Sequence, residues 1–265
     1  MEYPVLIIVP HGGCTPPEEL SSVTALSDLD IFMYSDACAN DIFSFGRYVA
    51  ANITTDISRL FVDTDRPINE MPPSARDGVM KMDTPSGRPV YQPDMFPSGI
   101  AVSNILSRYY VSFHDRIRDA LAGDRVELIL EFHTMLPVGP KYAKDADKPR
   151  PLIKIEHKTR YGGRFQETAG IDEARALAES ILFNLDSLEG SVAGDYLVDS
   201  SDSPGYLMKR YGTRGIPMLK VSLSRALFIN ERYFNWDYMK ADELRLGEIR
   251  NSVWGGIRFF CETFF

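Results

Sequence analysis

Five short apolar runs, at residues 5–9, 60–62, 126–132, 152–155 and 218–223, constrain what this chain can fold into more than any other feature. Each suits a strand buried on both faces, and none approaches the roughly 20 residues that cross a bilayer. Between them, apolar residues return at spacings of three and four. Val102, Ile105, Leu106, Tyr109, Tyr110, Phe113, Ile117 and Leu121 do so ahead of Gly123; Ala174, Leu177, Ala178, Ile181, Leu182 and Leu185 follow behind an Asp172 cap. Leu246, Ile249, Val253, Ile257 and Phe260 mark a C-terminal helix. Strands alternating with helices predict an α/β fold with a largely parallel sheet. No linker or repeat divides the chain, so residues 1–265 are read as one domain. The acidic Glu2 and the lack of a cleavage pattern before Pro10 predict a first buried strand of a cytoplasmic protein.

Charge narrows the partners. The 29 Lys+Arg against 37 Asp+Glu give a formal net charge of -8, with no basic excess to release counterions from phosphates. A small molecule or another protein is expected, and neither nucleic acid nor membrane. Cys14, Cys38 and Cys261 are odd in number and far apart, which fits neither a disulfide framework nor a C-x-x-C clasp and predicts a reducing compartment. Seven of the 17 prolines fall within 67–99, where Tyr91 and Phe96 predict a long ordered loop packed over the functional site. A second Pro-rich loop runs over 137–151.

Two of the four histidines, His11 and His133, stand at predicted strand ends, where open α/β sheets bind ligands. Two imidazoles and a carboxylate make an open zinc site; alternatively, each ring is simply hydrogen-bonded to a loop. His114, beside a helical apolar stripe, reads as a core histidine, and His157 as an exposed one. Glu131 shares the strand face of His133 and either orients it or is a buried paired carboxylate. In the 58–67 block, Arg59 and Arg66 flank an apolar core with Asp63 and Asp65, a pattern that either recognises an anionic substrate or fixes the loop internally.

Taken in order, these pieces resemble the N-formylglutamate amidohydrolase family, relatives of aspartoacylase and the zinc carboxypeptidases. The resemblance is carried by Pro10-His11-Gly12-Gly13, by Asp36-Ala37-Cys38-Ala39, by residues 58–67 and by Tyr110 with His114. Glu131-Phe132-His133-Thr134-Met135 and the late segments 205–212 and 219–228 complete it. It implies a three-layer α/β/α fold of the zinc carboxypeptidase (phosphorylase/hydrolase-like) kind, with a mostly parallel mixed sheet. The implied activity is that of a zinc-dependent amidohydrolase, a deformylase that cleaves an N-acylated amino acid such as N-formylglutamate by metal-activated water.

The same resemblance implies one Zn2+ per chain on His11 and His133, with Asp36 as third ligand and Cys14, Glu18 or Glu19 as alternatives. It puts Arg59, Glu131 and Ser222 at the catalytic centre, Arg59 on the scissile carbonyl. Asp65, Arg66, Tyr91 and Arg225 then face a small anionic acyl-amino-acid substrate, with Arg66 on its carboxylate. Two positions depart from the family pattern: Asp65 stands where it has Asn, and Ser222 where it has the Glu that resembles a general base. Serine at its ordinary pKa does not take a proton from water as a carboxylate does, so the expectation is either weak activity on simple formyl-amino acids or a relocated base, with Glu131 the first candidate. Ser222 also favours a second reading, a catalytically weak or inactive relative that binds a small molecule; a third is a zinc peptidase on the same scaffold.

Overall fold

The computed structural model describes residues 2–190, 194–199 and 205–264, with only the backbone of Tyr161. Six strands form the central sheet: β1 (Tyr3–Val9), β2 (Val49–Thr54), β3 (Leu128–Met135), β4 (Ile153–Glu156), β7 (Tyr196–Asp199) and β8 (Met218–Ser224). A hairpin of β5 (Lys158–Tyr161) and β6 (Arg164–Glu167) lies outside it. Strand order is β2-β1-β3-β8-β4-β7. The first four run parallel, while β4 is antiparallel to β8 and parallel to β7. The mixed, mostly parallel α/β sheet expected from the sequence is therefore present.

Central strands read as unbroken apolar runs because helices cover both faces. Val5, Ile7 and Val9 of β1 join the core formed with α5 (Ile171–Asp186) and α7 (Glu243–Phe264). Leu6 and Ile8 point the other way, toward Phe113 and Ile117 of α4 (Ser112–Leu121) and Leu207 of α6 (Tyr206–Tyr211). The stripe that ends at Leu121 is one rod, in which α3 (Gly99–Ile105) continues through a π-helical segment, Leu106–Val111, into α4. Helices α5 and α7 touch closely: a Cβ on Gly256 would come within 2.7 Å of the Ile181 backbone, so no larger residue fits there without a shift.

Three expectations need correction. Residues 60–62 form no strand; Phe61 and Val62 donate to the Ser58 carbonyl in a turn, and their apolar side chains fill a separate core with Val79, Met80, Val90 and Tyr91. The strand of that region is β2, whose Val-Ala-Ala-Asn-Ile-Thr sequence at a sheet edge carries little apolar signal. Helix α5 has its N-cap at Gly170, two residues ahead of Asp172, and Glu173 accepts from the Gly170 amide at 2.7 Å. His157 is buried, with Nδ1 3.2 Å from the Ala169 carbonyl.

His114 is a core residue, as expected. Its Nε2 donates to the Thr64 carbonyl at 3.1 Å, and its Nδ1 therefore accepts from the Tyr211 hydroxyl at 2.9 Å, which satisfies the neutral ring. Burial, helped by Arg210, lowers its pKa to about 4. The unfolded chain takes up this proton near 6.5 and the folded one only near 4, so this residue withdraws up to about 3 kcal/mol of stability as pH falls through that window. Urea unfolding of His114→Gln is expected to show a stability gap to the unsubstituted protein that narrows from pH 6.5 to 4; a constant gap would assign the effect to another group. Among the described residues no helix is long and apolar enough to cross a membrane.

Candidate active site

The carboxyl ends of β1, β3 and β8 converge on one cleft of about 410 Å³. His11 lies two residues past β1, and His133 is directly opposite Ser222 in the β3–β8 register. Asp36 comes from the connection between α1 (Asp28–Tyr34) and α2 (Ala39–Ile42), where its amide donates to the His11 carbonyl at 2.9 Å. Arg59, Asp65, Arg66, Glu70, Lys209 and Lys220 line the remaining walls.

The two imidazoles are oriented in the same way. His11 Nε2 lies 2.7 Å from Asp63 Oδ1, and His133 Nε2 lies 2.7 Å from Glu131 Oε1. Both Nδ1 atoms turn to Asp36 Oδ2, from His133 at 2.7 Å and from His11 at 3.9 Å. The second distance is too long for a hydrogen bond, and His11 Nδ1 is buried without a partner. His11, Asp36 and His133 thus offer ligand atoms within 4.8 Å of one another, all on buried residues. An orphaned imidazole nitrogen beside a carboxylate, with each ring's other nitrogen held by a second carboxylate, is the donor chemistry that a divalent ion of the zinc class fits.

A second group, Asp65, Glu131 and His133, satisfies the same distance. It is already occupied by a cation: Lys220 Nζ lies 3.2 Å from Glu131 Oε1 and 3.4 Å from Asp65 Oδ2. Asp65 Oδ1 also accepts from the Leu207 amide at 2.7 Å. The first group is the better metal site.

Electrostatics follow from these contacts. Burial, then Arg59, pushes His11 down to about 4, so its ring is neutral and ready to donate a lone pair. Burial and Lys220 oppose a charge on His133, yet hydrogen bonds to Asp36 and Glu131 prevail and raise it to about 9. A proton there competes with a cation. Asp36 is held low against its burial by His133. Asp63 is lowered further against burial by Lys81, at 2.9 Å, and Arg59, at 3.2 Å. Burial, reinforced by Glu131 and only partly offset by Lys220, raises Asp65 to about 6.

The cleft gathers His11, Asp36, Arg59, Asp65, Arg66, His133 and Ser222. Glu131 is fully buried behind His133 and is not among the residues that line it. Arg225 donates to the Ser35 and Met33 carbonyls and to Thr134 Oγ1, lies 3.7 Å from Asp36 Oδ1, and faces a neighbouring cavity. Tyr91 is packed against Phe61 and Phe96 under the loop, away from the cleft. Of the alternative ligands, Cys14 lines a different cavity, and Glu19 binds Arg108 and Tyr109. Glu18 is exposed at the surface. The 67–99 loop does reach the site, with Pro67 and Glu70 in the cleft wall.

Sequence reading missed Lys81, Lys209 and Lys220. Lys220 could have been found: it is a lone cation inside a buried apolar strand, two residues from Ser222 and so on the same face. Lys81 carries no comparable signal, because the loop that brings it to Asp63 has no periodicity.

Residues 3–229 match the N-formylglutamate amidohydrolase family. The structure resembles the N-formylglutamate amidohydrolase from Ralstonia eutropha JMP134, with a TM-score of 0.74 at 14% identity over 98% of this chain and 93% of that one. It also resembles gene product Atu2144 from Agrobacterium tumefaciens, with a TM-score of 0.61 at 16% identity over 97% of this chain and 91% of that one. No curated protein matches the sequence.

Proposed function

We propose, from the premise that this chain belongs to the N-formylglutamate amidohydrolase family, that it hydrolyses the amide of an N-acylated amino acid bearing a free carboxylate, with a zinc-class ion held by His11, Asp36 and His133. The observation that carries this reading is the convergence of those three buried donors on the floor of a cleft whose wall holds Arg59 and Arg66. When bound, such an ion acidifies a water molecule and polarises a carbonyl.

The chain's own groups supply the rest. Asp63 and Glu131 fix the two rings through Nε2 and raise their basicity as ligands. Arg59 keeps one nitrogen on Asp63, 3.2 Å away, and is anchored to donate toward the oxygen of the scissile carbonyl as charge develops there. Arg66, half-exposed and steadied by Asp77 at 2.6 Å, takes the substrate carboxylate. Asp65 is a buried carboxylate in the cleft wall, raised to about 6; it accepts a proton from the attacking water and returns it to the leaving amine as the C–N bond breaks. Its position depends on Gly205: a Cβ there would lie 1.9 Å from Asp65 Oδ2.

Kinetics separate the two arginines. With metal-loaded protein and N-formylglutamate, Arg59→Ala is expected to lower kcat and kcat/KM together by about 10²–10³. Arg66→Ala is expected to raise KM about tenfold or more with kcat little changed, the loss of a charge-assisted contact. If both variants keep the original kinetics, the arginines are a loop-fixing network and the substrate assignment fails.

A further inference from the structure

Beside the cleft lies a second cavity, of about 730 Å³, and the two share Asp36, Arg59 and Thr134. An amide held at Arg59 therefore has space on both sides of its carbonyl. The two sides differ in chemistry. The smaller cleft carries Lys209, which has no acidic partner among the described residues, and the half-exposed Arg66, and these suit a carboxylate. The larger cavity has an apolar wall of Met135, Leu136 and Pro140 with two neighbouring rings, Tyr34 and Tyr142, tilted at 43° with centroids 6.4 Å apart.

Its five cations are already engaged: Arg59 lies on Asp63, and Arg225 is held by the Ser35 and Met33 carbonyls with Asp36 Oδ1 3.7 Å away. Arg76 is paired with Asp83, Arg150 holds Asp145 at 2.6 and 2.8 Å, and Lys81 bridges Asp63 and Asp77. Such a lining has no strong pull on an anion and rewards apolar surface. A formyl group, one carbon and one oxygen, would leave nearly all of this volume to solvent.

Resting on the amidohydrolase reading above, we infer that the preferred substrate is an N-acyl amino acid whose acyl group is bulky and apolar or aromatic, with that group in the cavity of Tyr34, Tyr142 and Leu136. The amino acid's carboxylate then occupies the Arg66 side, and the amide lies between them at Arg59. The reaction adds water across the amide, breaking the C–N bond to give the free carboxylic acid and the free amino acid.

The test uses metal-loaded protein and three amides of one amino acid, N-formyl-, N-acetyl- and N-phenylacetyl-glutamate. The last two are alkyl amides of similar intrinsic reactivity. The expected result is a kcat/KM for phenylacetyl at least tenfold above acetyl, an advantage that Ala143→Trp, in the wall of the larger cavity, cuts about tenfold. Leu136→Trp makes the same test at another point of the wall should Ala143→Trp not fold. Cleavage of the formyl and acetyl amides at rates equal to or above phenylacetyl would overturn the inference and leave the amidohydrolase reading standing. No cleavage of any of the three by protein with full metal content would bring down both.

Discussion

Replacing His133 by alanine is expected to take the metal content of the purified protein from one ion per chain to near zero, and amide hydrolysis with it. The ring is one of three buried donors, and the geometry leaves no substitute among its neighbours: Lys220 already holds the carboxylates of Glu131 and Asp65. Loss of a ligand should exceed the 10–100-fold drop in affinity that follows loss of a group supporting a ligand. Glu131→Gln provides that smaller effect for comparison. It leaves His133 in place but removes the charge that orients Nε2, so occupancy should fall at limiting metal and return when metal is raised. Elemental analysis after dialysis reads both variants directly. Full occupancy in His133→Ala would put the ion elsewhere and withdraw the proposed centre.

His133→Ala also carries a stability cost that must be read separately. It leaves Asp36 and Glu131 as buried carboxylates that have lost a shared cationic partner, and breaking a buried pair on one side typically costs about 3–5 kcal/mol. Arg225, 3.7 Å from Asp36, and Lys220, 3.2 Å from Glu131, keep that cost from being the full penalty. Circular dichroism on the same samples distinguishes an emptied site from an unfolded protein.

What could be read in the sequence follows the physics of each signal. Strands β1, β3 and β8 were legible because helices cover them on both sides, which forces continuous apolar runs. Their ends then located His11 and His133. Edge strand β2 was not legible, because its intermediate burial allows Ala and Asn. Leu60, Phe61 and Val62 misled for the complementary reason: burial under a long loop gives the same composition as burial in a sheet, and only chain geometry separates them. The same loop hid the direction of Tyr91, which is apolar enough to serve a core and was read as a site residue. Asp63 was visible as part of an Arg-Asp block, but its service to His11 depends on a contact 52 residues apart in sequence.

Asp65→Asn is expected to lower kcat about 10²–10⁴-fold on an N-acyl amino acid, with metal content unchanged and KM little altered. The substitution keeps an oxygen for the Leu207 amide, which Asp65 Oδ1 accepts at 2.7 Å, so the loop contact is retained while proton acceptance and the charge facing Lys220 are lost, Lys220 keeping Glu131 as its partner. A carboxylate must be ionised to act as a base, and burial with Glu131 sets Asp65 near 6. Activity of the unsubstituted protein should therefore rise with pH through about 6, and the residual activity of Asp65→Asn should lack that limb. Ser222→Glu decides whether the missing carboxylate has been relocated. Ser222 faces the same cleft opposite His133, so a glutamate there restores an acceptor from another strand. In the Asp65→Asn background it should recover at least tenfold of the lost kcat. In the unsubstituted protein it should recover nothing, since a further carboxylate near Asp65 and Glu131 only adds like-charge repulsion. A metal-loaded protein that is inactive as it stands and becomes active with Ser222→Glu alone would instead mark a relative that kept the fold and lost its base.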